Sequence, residues 1–141
     1  DITRGEFDDM LYNFYNPGKS NIELAYTDVT EDSPWANAVK WALEAGVIRG
    51  ITDKTFAPDK KITRLEMIVM LARFDEEREN PLTATEPEYH LADCNNIPSW
   101  GKNAVHWAVA NGIIHGNNGS ILPDDYVKVS EAIAMISRCA K

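Results

Sequence analysis

The sequence predicts an all-α fold built from repeated helix–loop–helix units. Three observations carry this. The stretch TDVTEDSPWANAVKWALEAGVIRGITDKTFAPDKKITRLEMIVMLARF returns, with substitutions, as ADCNNIPSWGKNAVHWAVANGIIHGNNGSILPDDYVKVSEAIAMISR. The opening ITRGEFDDMLYNF is a third copy of the second half alone, with Ile2-Thr3-Arg4-Gly5-Glu6 matching Ile62-Thr63-Arg64-Leu65-Glu66. Apolar residues recur at helical spacing, and nothing longer than two-residue anchors suggests a strand. A period of this kind is one supersecondary unit stacked on copies of itself, and the crevices between copies are where concave surface arises.

The first element is a helix opened by Thr3 as N-cap, with Glu6 completing a capping box. Phe7, Met10, Leu11 and Phe14 form its apolar face. Asn16-Pro17-Gly18-Lys19-Ser20 is a turn-rich linker. The central copy starts a helix at Ser33-Pro34, Ser as N-cap and Pro at the first helical position. Trp35, Ala38, Val39, Ala42 and Leu43 share one face, and Gly46 ends the helix in a left-handed cap. Val47 and Ile48 form an apolar anchor, and Phe56 turns inward from a surface loop ending at Pro58. Thr63-Arg64-Leu65-Glu66 opens the next helix as a second capping box, with Met67, Met70, Leu71 and Phe74 as its stripe. Asp75 to His90 reads as an acidic, exposed, mobile connector holding Pro81 and Pro87. The last copy repeats the plan, with Trp100 in the place of Trp35, Trp107 of Trp41, Gly112 of Gly46, Gly116 of Gly50 and Glu131 of Glu66. The three second-half helices carry equivalent stripes, with Met10, Met70 and Met135 in register, and are expected to share one axis.

Composition narrows the function. There are 14 basic and 22 acidic residues, a net charge of −8, which disfavours nucleic acid. No apolar run approaches the roughly 20 residues needed to span a bilayer. His90, His106 and His115 lack metal-ligand spacing, so no metal or cofactor is expected. Cys94 and Cys139 bracket the last copy and either pair as a disulfide or remain two thiols. The chain starts inside a repeat, so a longer polypeptide is expected.

The ordered set Tyr26-Thr27-Asp28-Val29, Trp35 with Trp41, Gly46-Val47-Ile48-Arg49-Gly50, Phe56-Ala57-Pro58 and Ile62-Thr63-Arg64-Leu65-Glu66 resembles the S-layer homology domain, over nearly the whole chain. On that resemblance, residues 1–25 are the second half of a first repeat plus linker. Residues 26–90 are a complete repeat plus acidic linker, and 91–141 a complete but degenerate one. The resemblance implies a pseudo-threefold helical bundle whose first repeat lacks its first helix. It implies a secreted, extracellular, non-catalytic module that anchors a larger polypeptide. Its partner would be secondary cell-wall polysaccharide, an anionic and possibly pyruvylated glycan held in inter-repeat grooves. There would be no nucleic-acid partner and no membrane insertion. The alternative is a helical scaffold for protein–protein interaction on a secreted bacterial protein.

Arg4 and Arg64 follow the caps Thr3 and Thr63. A helix N-terminus favours anions, and a guanidinium fork suits a carboxylate. Both arginines are candidate ligand contacts, with Arg64 expected to be the main anion contact, the other reading being a structural salt bridge. Trp35 and Trp100 either pack in the core or offer a ring to a sugar. Asp28 either braces a turn or joins the site. Gly50 and Gly116 serve backbone geometry or close approach of a sugar. In the last copy Lys128-Val129-Ser130-Glu131 replaces Thr-Arg-x-Glu, which predicts a weaker site there. Carboxylate pairs repeated once per unit are not expected to be catalytic.

Overall fold

The computed structural model describes residues 1–48, 50, 52, 54–76, 97–114 and 121–139. Five helices follow in chain order: α1 (Arg4–Tyr15), α2 (Ala36–Glu44), α3 (Arg64–Glu76), α4 (Ser99–Ala110) and α5 (Val129–Cys139). No strand occurs among the described residues; isolated backbone bridges join Thr3 to Lys61 and Thr63 to Tyr126.

Helix starts and stops follow local chemistry. Thr3 Oγ1 accepts from Glu6 N–H at 3.2 Å while the Glu6 carboxylate takes Thr3 N–H at 3.3 Å. Thr63 and Glu66 repeat the exchange. Gly46 and Gly112 stand at φ 77° and 68°, where a left-handed residue ends a helix cheaply only without a Cβ. Val47 N–H then reaches back to Ala42 C=O at 2.8 Å, and Ile113 to Ala108 at 2.8 Å.

Ser33 departs from expectation. Its hydroxyl accepts from Thr30 N–H at 3.0 Å, bracing the preceding turn, so α2 begins later and without a side-chain cap. Phe14 is exposed, because the last turn of α1 sets Tyr15 rather than Phe14 against Trp41 and Phe74. Asp75 is not part of an exposed connector. It is buried in the last turn of α3 and accepts from Trp107 Nε1 at 3.1 Å. The rest of that connector lies outside the described residues, as does Cys94; Cys139 is buried.

The copies meet at the starts of their second helices. Ile2, Ile62 and Val127 hold equivalent places. Ile2 N–H donates to Val127 C=O at 2.8 Å, Val127 N–H to Ile62 C=O at 3.3 Å, and Ile62 N–H to Ile2 C=O at 3.1 Å, closing a cycle of three. One apolar core runs through all copies, with Phe7, Leu11, Phe56, Ile62, Met67, Ile68, Ile113 and Ile121 fully buried. Each first-half helix lies on the second-half helix of the preceding copy: α2 on α1 and α4 on α3. α5 touches α1 and α3.

The two seams use opposite side chains. A Cβ at Gly5 would sit 2.8 Å from the Trp35 ring, so Trp35 lies directly over that glycine. At the next seam a Cβ at Gly101 would sit 2.7 Å from Leu65 Cδ1. Leu65 is the counterpart of Gly5, so Gly101 stands where Trp35 does. Trp100 falls one position earlier and is 61% exposed. The alignment of Trp35 with Trp100 is therefore shifted by one residue in space, because the chain ahead of α4 is one residue longer.

Candidate functional site

A groove opens at the junction of copies, and its floor is an ion pair. Arg4 is buried. Its Nε donates to Phe56 C=O at 3.0 Å, and its Nη1 meets Glu66 Oε2 at 2.6 Å. The guanidinium also lies 4.8 Å from the centre of the Phe56 ring, a cation–π distance. One copy later the plan repeats: Arg64 Nε donates to Ile121 C=O at 2.6 Å and Nη1 to Glu131 Oε2 at 2.5 Å. Glu66 thus caps its own helix with one oxygen and holds the preceding copy's arginine with the other; Glu131 does the same toward Lys128 N–H and Arg64.

The helix starts are closed as well. Arg4 N–H donates to Lys60 C=O and Gly5 N–H to Pro58 C=O, both at 2.9 Å; Arg64 N–H and Leu65 N–H donate to Asp125 and Pro123 C=O at 2.8 and 3.1 Å. The N–H groups expected to await an anion at α1 and α3 are taken by the following copy's loop. This loop is itself unusual. Ala57 and Leu122, each just before a proline, stand at φ 61° and 56°. Asp28 holds the first of them, its two oxygens accepting from Phe56 N–H at 3.0 Å and Ala57 N–H at 2.7 Å. Asp28 is a loop brace behind the groove.

Above the floor, Gly50, Val69, Met70, Arg73 and Trp100 complete a cavity of about 250 Å³ with Arg4 and Glu66. Gly50 has no room for a side chain: a Cβ there would lie 2.3 Å from Thr52 C=O and 2.7 Å from the Tyr26 ring. Tyr26 stacks on Phe56, and burial raises its phenol pKa. The equivalent cavity over Arg64 and Glu131 is lined by Ala134, Met135 and Arg138, with Tyr126, Lys128 and Ser130, and is larger, about 590 Å³. Among the described residues no first-half helix lines it.

Of the residues singled out in the sequence, Arg4, Gly50 and Trp100 meet in one groove and Arg64 lines the other. Thr3 and Thr63 are helix caps. Trp35 is spent on the Gly5 seam. Gly116 lies outside the described residues. Sequence reading missed Arg73 and Arg138. Each stands seven residues after the junction glutamate, two helical turns on and so on the same face, and that spacing was the available signal. It also missed Asp8, which is fully buried with neither carboxylate oxygen hydrogen-bonded. Burial pushes its pKa well up, Asp9 adds to this and Arg4 opposes it. Among the described residues no cluster of His, Cys, Asp or Glu is placed to hold a metal ion, and no helix is long and apolar enough to cross a membrane.

A helical repeat whose concave surface falls at its copy junctions, polar and arginine-floored, defines a binding module. Residues 25–68 and 91–133 match the S-layer homology domain, and the chain belongs to that family. It is 31% identical to a cellulosome-anchoring protein of Acetivibrio thermocellus over 143 residues, covering 97% of this chain and 31% of that protein. It is 31% identical to the exoglucanase XynX of the same species over 140 residues, 96% of this chain and 12% of the relative. It is 29% identical to the surface-layer 125 kDa protein of Lysinibacillus sphaericus over 99 residues, 70% of this chain and 8% of the relative. The chain thus spans less than a third of the length of these relatives. Family and relatives together support a cell-wall anchoring module at the cell surface.

Proposed function

We propose that this chain is a non-catalytic anchor that holds an anionic secondary cell-wall polysaccharide, of the pyruvylated kind, in the groove between its first two second-half helices. The pseudo-threefold arrangement of the copies is part of this reading. The observation that carries it is the meeting of Arg73 and the exposed Trp100 over the Arg4–Glu66 pair. An indole face suits the apolar face of a sugar ring, and a guanidinium suits a ketal carboxylate. Arg4 and Arg64 form the floors of their grooves. Each is tied to a glutamate; Arg73, which lines the same groove as Trp100, makes the principal contact in this reading, and the Arg4–Glu66 pair fixes the groove's shape. Thr3, Thr63, Asp28 and Gly50 act by shaping the same walls. The equivalent groove at Arg64 has no tryptophan among its described lining residues and binds more weakly. Catalysis in the relatives named as enzymes then belongs to their other regions.

The test is a pull-down with purified cell walls, before and after removal of their non-peptidoglycan polymer. Binding should vanish with the polymer. A charged hydrogen bond contributes about 1.5–3 kcal/mol, so Arg73→Ala should weaken binding about tenfold or more, and Arg73→Lys should recover part of it. Trp100→Ala should weaken it comparably, with the helical circular dichroism of the parent. Undiminished binding by Arg73→Ala and Trp100→Ala sinks this site. Binding to stripped walls points instead to a protein or peptidoglycan scaffold role.

A further inference from the structure

We propose that Asp8 is a buried proton site that sets how strongly the groove over Arg4 and Glu66 holds an anion, so that binding takes up a proton and weakens as the medium turns alkaline. This rests on the anionic-glycan reading above and adds a regulator to the same groove.

Placement comes first. Asp8 follows Arg4 by one helical turn, so the two leave α1 on the same side. Both are buried, Asp8 completely, and neither Asp8 carboxylate oxygen has a hydrogen bond. In the next copy the same position is Ile68, also fully buried. An apolar side chain is thus enough for packing at this register. The carboxyl group of Asp8 adds nothing to the packing and costs desolvation whenever it ionises.

Charge gives it a consequence. Arg4 brings one positive charge, and Glu66, 2.6 Å away, one negative. With its proton, Asp8 leaves that pair balanced. Without it, the floor of the groove carries an unbalanced negative charge. An anion held by Arg73 over the Arg4–Glu66 pair is then repelled through protein interior, where charges interact more strongly than across water.

The groups around Asp8 are few. Burial holds its pKa well up, Arg4 pulls it down and Asp9 adds to the rise. The buried face of α2, which lies on α1, carries no ionisable side chain. The charged residues of α2, Lys40 and Glu44, are taken by Glu31 and Ser20. From the segment ahead of α2 come Tyr26, whose phenol senses Asp8, and Asp28, which is engaged with the N–H groups of Phe56 and Ala57. On α5, which also touches α1, the one ionisable buried group is the Cys139 thiol.

The coupling is reciprocal. A bound anion raises the proton affinity of Asp8, and the proton raises the affinity for the anion by the same factor. Binding is strongest below the pKa of Asp8 in the free protein. It falls as pH rises through that value and levels off above the pKa of the bound state. The groove over Arg64, with Ile68 in the place of Asp8, has no such dependence.

The experiment is a pull-down of the parent with purified walls carrying their non-peptidoglycan polymer, from about pH 4 to about pH 9. Parent binding should be about fivefold or more tighter at the acid end. Asp8→Asn, equal in size and uncharged, should keep the acid-end affinity throughout. In the parent, carbon-13 NMR of the Asp8 carboxyl should show its titration midpoint rise when polymer released from the walls is added. Should Asp8→Asn lose the helical circular dichroism of the parent, that midpoint decides alone. Binding by the parent that does not change with pH, a pH dependence that Asp8→Asn shares, or an unmoved midpoint overturns the proposal and leaves the groove reading standing. Failure of the parent to bind walls at every pH overturns the groove reading, and this proposal with it.

Discussion

The junction of the first and second copies and the junction of the second and third solve one packing problem in opposite ways. At the first, glycine on α1 lies under tryptophan from α2, Asp8 is sealed inside, and the Arg4–Glu66 pair is nearly dry. At the second, leucine on α3 lies over glycine from α4, Ile68 takes the place of Asp8, and the Arg64–Glu131 pair is wetter. What the repeat keeps is a glycine facing a larger side chain and one Arg–Glu link, not which helix carries which. A glycine on either helix lets the opposing side chain lie against its backbone.

The largest difference should appear when the links are cut. Arg4 and Glu66 side chains are 5% and 17% exposed, against 12% and 33% for Arg64 and Glu131. Removing one partner of a buried pair strands the other charge and costs about 3–5 kcal/mol, whereas exposed pairs are worth at most about 1 kcal/mol. Both glutamates also close a capping box or its remnant, so that loss is common to the two variants. The Arg64–Glu131 pair is part-buried and falls between these limits, so Glu66→Ala should destabilise more than Glu131→Ala in urea unfolding. Equal losses would mean that capping, not the link, is what the glutamates contribute.

Asp8 separates the junctions next. A buried carboxylate without a hydrogen bond costs about 1–3 kcal/mol. Its folded pKa lies above the 3.8 of the unfolded chain, mainly through burial. The folded state therefore binds the proton more tightly than the unfolded state. That contribution is fully present below the unfolded pKa and is lost as pH rises through the folded one. Asp8→Ala should gain about 1–3 kcal/mol over the parent at neutral pH, and the two urea curves should converge toward pH 4. A gain that does not shrink on acidification would remove the carboxyl group's ionisation as the cause.

Most of the helical plan was legible in the sequence. Caps at Thr3 and Thr63, stops at Gly46 and Gly112 and the buried anchors Val47-Ile48 and Ile113-Ile114 follow from local spacing and backbone chemistry. The role of the arginines was not. Glu66 is 62 residues from Arg4 and Glu131 is 67 from Arg64, and nothing local announces such partners. The loop carbonyls that close the starts of α1 and α3 were hidden for the same reason. Ser33 looked like a cap because Ser-Pro is a good one; a closer donor at Thr30 claimed it. The tryptophan register misled because one extra residue ahead of α4 displaced Trp100 from the seam, and only the contact of Gly101 with Leu65 reveals it.

The seam glycines give the smallest effect and the sharpest comparison. Glycine inside a helix costs up to about 1 kcal/mol relative to alanine, so either glycine would be replaced if the space allowed. At Gly5 the new methyl would meet Trp35 Cδ2 at 2.8 Å and Cε2 at 2.9 Å. These are atoms of a rigid bicyclic ring, so the whole indole must slide or α2 must lift. Overpacking of this kind costs about 1–3 kcal/mol, more than the helix gains. At Gly101 the new methyl would meet Leu65 Cδ1 at 2.7 Å and Cδ2 at 3.0 Å. Those are the ends of a branched but rotatable side chain, and a change of rotamer relieves them. Gly5→Ala should therefore lower stability by about 1 kcal/mol, while Gly101→Ala should leave it within about 0.5 kcal/mol, the helix gain offsetting the rearrangement. Urea midpoints of the two variants against the parent decide it. If Gly101→Ala is the more damaging, Leu65 is as fixed as Trp35, and the two seams differ in residue but not in stiffness.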